Sequence, residues 1–285
     1  GIRDAVGIGD WENKKLVRAR GLEYQYLGFN YRHPILSNLD VRRAIAHAID
    51  RKSIIEYLLG DLARPAASPM LPELWQADVE LPQVEFDPDM AKQLLDAAGY
   101  PDPDGDGSEM RFRLEFKCSS QRDSRDLATV FRQQLAEVGI GVDVRAAEWQ
   151  TFYADVVNGN FSMYSMRWIG IIDPDFFGAL FHSTSIPGIE LPPDAPRRGS
   201  LNRGRLINAE MDAMIEAAEK ASTEEERWNE FAEVQLVMDK ELPYVDLWYQ
   251  DNFAVMRSDL DGLVLTLNAS FRELYLLRYQ QDDEE

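Results

Sequence analysis

Along residues 22–31, Leu-Glu-Tyr-Gln-Tyr-Leu-Gly-Phe-Asn-Tyr, apolar and polar positions partly alternate, which predicts a strand with one buried face. The period then changes. Val41, Ala44, Ile45 and Ala48 recur at helical spacing behind Ser37 or Asn38 as cap, and Ile54, Ile55, Leu58 and Leu59 recur behind Asp50 until Gly60. Five prolines between Ala63 and Pro88 predict an extended segment wrapped over the surface. Asp87-Pro88 opens a helix through Ala91, Leu94, Leu95 and Ala98, closed by Gly99.

The middle of the chain reads as strand 110–118, helix 122–138, strand 140–147, a helix from Glu148 to Val157 and strand 161–168. This β-α-β-α-β order predicts an α/β layer architecture. Helices over 208–220 and 223–240 precede a strand from Pro243 to Tyr249, and the last forty residues alternate strands with turns. No repeat or low-complexity tract is present beyond the closing Asp-Asp-Glu-Glu, which predicts a solvated tail.

Composition narrows the function classes. The chain has 285 residues, 45% hydrophobic and 28% charged, enough for one large domain or two modest ones. Its formal net charge of −20 opposes phosphate backbones and anionic lipid, so no nucleic-acid partner is expected. The densest basic cluster, Arg197, Arg198, Arg203 and Arg205, sits among prolines and glycines and reads as a loop. The single cysteine, Cys118, lies in an apolar alternating run and predicts a buried thiol, with neither a disulfide nor a cysteine metal site. The opening Gly-Ile-Arg-Asp-Ala-Val has no signal-peptide pattern, and no apolar run approaches a membrane span, so no membrane insertion of this chain is expected.

Catalytic motifs are missing from the sequence. His33, His47 and His182 are dispersed, with no HExxH, GxSxG or glycine-rich phosphate loop, so an enzyme is not expected. Asp102, Asp104 and Asp106 with Gly107 resemble the start of a calcium loop, but Arg113 stands where a bidentate glutamate belongs. A polar turn is the plainer reading, and no cofactor is assigned.

Several segments together resemble the peptide, dipeptide and nickel class of ABC-transporter solute-binding proteins, the family 5 extracellular solute-binding proteins. Tyr26-Leu27-Gly28-Phe29-Asn30 followed by Val41-Arg42-Arg43-Ala44 through Ala48-Ile49-Asp50-Arg51 is similar to that family's strand and "VR.A...AID+" helix. Asp87-Pro88 with Leu94, Leu95, Ala98, Gly99 and Tyr100 resembles its "D...A+.LL.EAGY" helix, and Gln134-Leu135 to Gly139-Ile140 its "L...GI.V". Trp168, Asp173-Pro174-Asp175, Phe181-His182-Ser183, Asn202-Arg203 and the helix ending in Leu242-Pro243-Tyr244 follow in the family's order.

The resemblance implies a periplasmic-binding-protein-like lobe, α/β with a mixed sheet flanked by helices, plus partial strands of a second lobe. By that implication residues 1–24 are the end of a first lobe, 25–256 the ligand-binding second lobe and 257–285 a return segment. It further implies an extracytoplasmic protein, periplasmic or lipid-anchored, that holds a peptide or other small solute between two lobes and delivers it to a membrane permease. A sugar, a metal chelate or a role as a sensor module outside transport stays open.

Candidate ligand residues follow from both lines. Tyr164 to Pro174 is a strand running into a loop bounded by glycine and proline, where α/β layers place ligands. Trp168 stands where the family has a ligand-facing tryptophan, with packing between helices as the alternative, and Arg167 beside it is a candidate partner for a ligand carboxylate. Peptide-binding members place an aspartate three residues after that tryptophan, whereas this chain has Ile171, which puts a free-amino peptide in doubt. Asp173 is a possible substitute, or a helix cap. Tyr249 matches a position where peptide binders present a tyrosine; Asn202 and Arg203 are candidates for the cleft rim or for fixing their loop; Asn30 and Tyr31 sit at the first crossover.

Overall fold

A computed structural model describes residues 11–76, 80–105, 107–193, 195–270 and 272–279. Its spine is a six-stranded mixed sheet in the order β2-β6-β1-β5-β3-β4, with β1 Lys14–Phe29, β2 Ala63–Pro65, β3 Phe112–Ser119, β4 Ile140–Ala147, β5 Met163–Ile169 and β6 Tyr244–Arg257. β3 is parallel to β4 and β5, while β1 is antiparallel to both β5 and β6. The parallel edge arises because α4 (Arg122–Ala136) and α5 (Trp149–Asn158) are the crossovers between its strands.

Both faces of the sheet are covered. One carries α1 (Leu39–His47), α2 (Arg51–Ser53), α3 (Pro88–Ala97) and α4, which bury Val41, Ile45, Leu95 and Phe131 against Leu27, Phe29 and Phe116. The other carries α5, α6 (Phe176–Phe181), α7 (Ala209–Glu219) and α8 (Glu224–Glu241), packed on Tyr24, Tyr26, Tyr164 and Tyr244. Gly28 is required where that tyrosine layer is tightest, since a Cβ there would lie 2.6 Å from the Tyr164 ring.

The caps follow from local sequence. The Asn38 side chain accepts from Asp40 N–H, Asp50 from Ser53 N–H and Asp87 from Met90 N–H, each satisfying a donor that a first helical turn leaves unpaired. Gly99 takes φ +88 to end α3. Three expectations need correction. The second predicted helix passes after Ser53 into a π turn, Ile54–Leu58. The Ala63–Pro88 segment is more than a surface wrap, because Ala63–Pro65 pairs with β6 and Ala66, Met70 and Leu71 are buried. The strand expected to stop at Tyr249 continues to Arg257, pairing with Lys14–Ala19 as a ribbon.

Where sheet becomes ribbon, the β1–β6 register shifts between Ala19 and Glu23. Gly21 sits in this bulge, and a Cβ on it would lie 2.3 Å from the Gln250 carbonyl oxygen. Asp251 is buried at the same level and receives Arg64 Nε at 3.0 Å together with Arg18 Nε. β7 (Leu260–Asp261) and β8 (Arg278–Tyr279) form a small second sheet.

Asp246 on β6 has its carboxylate against the Tyr24 hydroxyl, and burial pushes its pKa from 3.8 up to about 6, against the opposing pull of that hydroxyl and of Arg51. The folded chain therefore holds this proton more tightly than the unfolded chain. Stability contributed by Asp246 is complete below about pH 4 and is lost as pH rises through about 6. In urea titrations from pH 4 to pH 8, Asp246→Asn is expected to gain on the parent by about 1–3 kcal/mol as pH rises. A constant difference between the two proteins across that range is the result that contradicts this.

Candidate functional site

A groove of about 1070 Å³ opens at the carboxyl ends of β3 and β5. Parallel strands end there and the helices that follow them begin, so the surface is concave and accessible. Cys118 and Ser119 come from β3, Arg167 to Ile169 from β5, and Glu23 and Gln25 from the antiparallel β1. The first turns of α4 and α5 supply Asp123 and Trp149, the π turn supplies Tyr57, and β6 adds Trp248 and Phe253 at the foot of the ribbon.

Trp168 is the aromatic centre. Its ring lies parallel to Tyr26, 4° between planes at 6.2 Å, and edge-on to Phe176. The Arg203 guanidinium lies 4.4 Å from the Trp168 ring centroid and 5.2 Å from that of Tyr153. Trp168 therefore packs against these rings and also lines the groove. Arg167 is exposed and bound by Glu23 at 2.6 Å, with Asp123 at 3.7 Å. Arg203 is 4% exposed and also lines the groove.

The other five candidates lie outside the groove lining, each held by a visible cause. Asn30 Nδ2 donates to Phe161 O and Gly159 O, which ties the end of β1 to the turn before β5. The Tyr31 hydroxyl donates to Glu241 O and its ring carries the Arg42 guanidinium at 4.2 Å. Asn202 Nδ2 is spent on Phe181, His182 and Leu206 carbonyls. The buried Tyr249 hydroxyl donates to Ser68 O and Met70 O. Asp173 is exposed and paired with Arg227, which also holds Asp175 at 2.9 Å. Ile171 is buried in the core, so the neighbourhood of Trp168 receives no carboxylate from that loop position.

Sequence reasoning missed the opposite wall. Trp149 and Tyr153 stand four apart on α5, both exposed, while Phe152 and Val156 fill the core. An exposed aromatic pair at helical spacing was the available signal. Tyr57, 75% exposed, had none, because the π turn that presents it is not legible in a pattern of period 3.6.

Cys118 lines the groove with its thiol pushed up to about 11 by burial, so it is protonated at neutral pH. Burial likewise raises Tyr26, Tyr164 and Tyr244, which leaves a layer of neutral phenols behind Trp168. In the calcium-like loop, Asp102 accepts from Asp104 N–H and Asp104 from Glu109 N–H, as in a self-fixing turn; Asp106 lies outside the described residues. Among the described residues no three His, Cys, Asp or Glu side chains converge as a metal cage, and no helix is long and apolar enough to cross a membrane.

The chain and its fold match known proteins. The family model for bacterial extracellular solute-binding proteins, family 5 Middle, matches residues 7–188. The oligopeptide-binding protein AppA of Bacillus subtilis is 28% identical over 261 residues, 88% of this chain and 46% of that protein. Heme-binding protein A of Haemophilus influenzae is 27% identical over 254 residues, 88% and 43% of the two chains. The structure of B. subtilis AppA with a nonapeptide superposes with TM-score 0.78 at 26% identity, covering 98% of this chain and 55% of the other. The chain thus spans about half the length of the relatives it matches.

Proposed function

Since the chain belongs to the bacterial extracellular solute-binding proteins, family 5, we propose that it forms one wall of a cleft in which the full protein binds a peptide or peptide-like solute and hands it to an ABC permease. We read it as a binding protein without catalytic activity, working outside the cytoplasm, free or lipid-anchored. One observation carries this reading: the groove is rimmed by apolar side chains turned to solvent, with Ile169 77%, Tyr57 75% and Trp149 48% exposed. Such a rim costs solubility unless something covers it, and a second lobe closing over a solute would do so. Aromatic walls suit a peptide because they supply contact area without directional demand.

On this reading residues 25–256 are the second lobe, and residues 1–24 with 257–285 belong to the first. The ribbon supports it, since both of its strands leave the sheet on the groove side. Ile171 favours a second reading, a non-peptide solute of the kind that relatives named for heme bind, because no carboxylate stands there for a peptide ammonium. Native mass spectrometry of the full-length protein purified from its own host separates the two. The expected bound masses differ by amino-acid residues, whereas a single bound mass without peptide composition overturns the peptide reading.

A further inference from the structure

Three carboxylates and three guanidiniums line the groove, and they do not pair evenly. Arg167 holds Glu23 at 2.6 Å and Asp123 at 3.7 Å, and Arg122 lies 3.6 Å from Asp126. Arg203 has no carboxylate within ion-pair distance among the described residues. It is also the most buried of the three. A guanidinium keeps its charge at any physiological pH, so one that is 4% exposed and unpaired is an unfavourable arrangement for the empty protein.

Its surroundings say what is missing. Two rings lie against the guanidinium, with Cζ 4.4 Å from the Trp168 centroid and 5.2 Å from that of Tyr153. These hold its orientation and offset part of the desolvation. The N–H groups are what remain: Nη1 reaches the Met166 sulfur at 3.7 Å, the guanidinium also bears on the Tyr26 hydroxyl, and Nε is buried with no acceptor. The tyrosines nearby are neutral, as burial raises their hydroxyls. A thioether is a weak acceptor and a neutral phenol carries no charge, so among the described residues the fork has no anionic partner.

Resting on the groove being the solute site, we propose that Arg203 is the subsite for a carboxylate of the bound solute, and that this protein selects acids over their uncharged counterparts. The planar fork matches two carboxylate oxygens, and Arg203 is part of the groove lining. The same logic assigns no second ion to the ligand from Arg167 or Arg122, whose charges are already matched. Ile171, in place of an acidic side chain, makes the Trp168 neighbourhood hospitable to a negative rather than a positive group.

Thermal melting of the full-length protein tests this with two probe pools, each supplied as free acids and as the matching amides. One pool is di- to pentapeptides, and the other is alkyl and aryl carboxylic acids with no peptide bond. Acids are expected to bind at least about tenfold more tightly than amides, as one charge-assisted bond requires. Arg203→Met is expected to abolish that preference while melting, without probe, no lower than the parent; Arg203→Lys retains part of it. A preference among peptide acids supports the subsite and the peptide reading together. A preference restricted to non-peptide acids upholds the subsite and removes the peptide reading. Equal or absent responses to acids and amides, or a preference that survives Arg203→Met, overturn the subsite.

Discussion

Arg42→Ala is expected to lower the unfolding free energy by about 3–5 kcal/mol, out of a total of about 5–15 for a protein of this kind. The side chain is 2% exposed and does three jobs at once. Nη1 donates to Leu36 O at 2.8 Å and Ser37 O at 3.0 Å, which closes the loop before α1, and Nη2 donates to Glu241 O at 2.8 Å, which ties down the end of α8. The guanidinium also stacks on Tyr31, whose hydroxyl donates to the same Glu241 carbonyl. Alanine strands these carbonyls in a dry site and opens a cavity beneath the tyrosine. Urea unfolding measures the loss, and Arg42→Lys should recover only part, because an ammonium cannot span the three acceptors. A loss below about 1 kcal/mol for alanine would show that water replaces the side chain there.

The second large effect is expected at Asn202. Asn202→Ala should cost about 3 kcal/mol, since Nδ2 serves Leu206 O at 2.8 Å, Phe181 O at 3.1 Å and His182 O at 3.2 Å while Oδ1 accepts from Leu206 N–H at 3.0 Å. This side chain fastens the 202–206 loop to the end of α6, and Arg203 is the next residue. Solute affinity should therefore fall together with stability. Arg203→Met separates the two, lowering affinity alone. If Asn202→Ala leaves the urea midpoint unchanged while abolishing binding, Asn202 touches the solute and the anchoring role is wrong.

These two residues also mark the limit of what the chain alone discloses. Arg42 and Asn202 stand in segments that resemble the family, and resemblance cannot say whether such a residue meets solute or backbone. The answer depends on which carbonyl lies opposite in space: Asn30 finds Phe161, 131 positions away, and Tyr249 finds Met70, 179 positions away. Trp168, Arg167 and Arg203 do reach the groove, because a strand end and the loops facing it project into it. The layered scaffold was readable from end to end where caps and period coincide, as from Asp87 to Gly99. It was unreadable at α6, where Phe-Phe-Gly-Ala-Leu-Phe is too short and too uniformly apolar to show a helical face. The Gln250-Asp251-Asn252 run reads as a turn, yet there β6 keeps pairing because Asp251 is neutralised by Arg18 and Arg64.

The ribbon beyond that point projects from the sheet. Lys14–Ala19 pairs with Asn252–Arg257 with no third strand beside them among the described residues, and the glycine bulge lies at their root. Six residue pairs span about 20 Å, so a turn of about 15° at the bulge carries the tip through about 5 Å. Asp251, clasped by Arg18 and Arg64, fixes the strand register at that root. Phe253 belongs both to the ribbon and to the groove lining, so any such turn would reshape the groove's edge together with the tip.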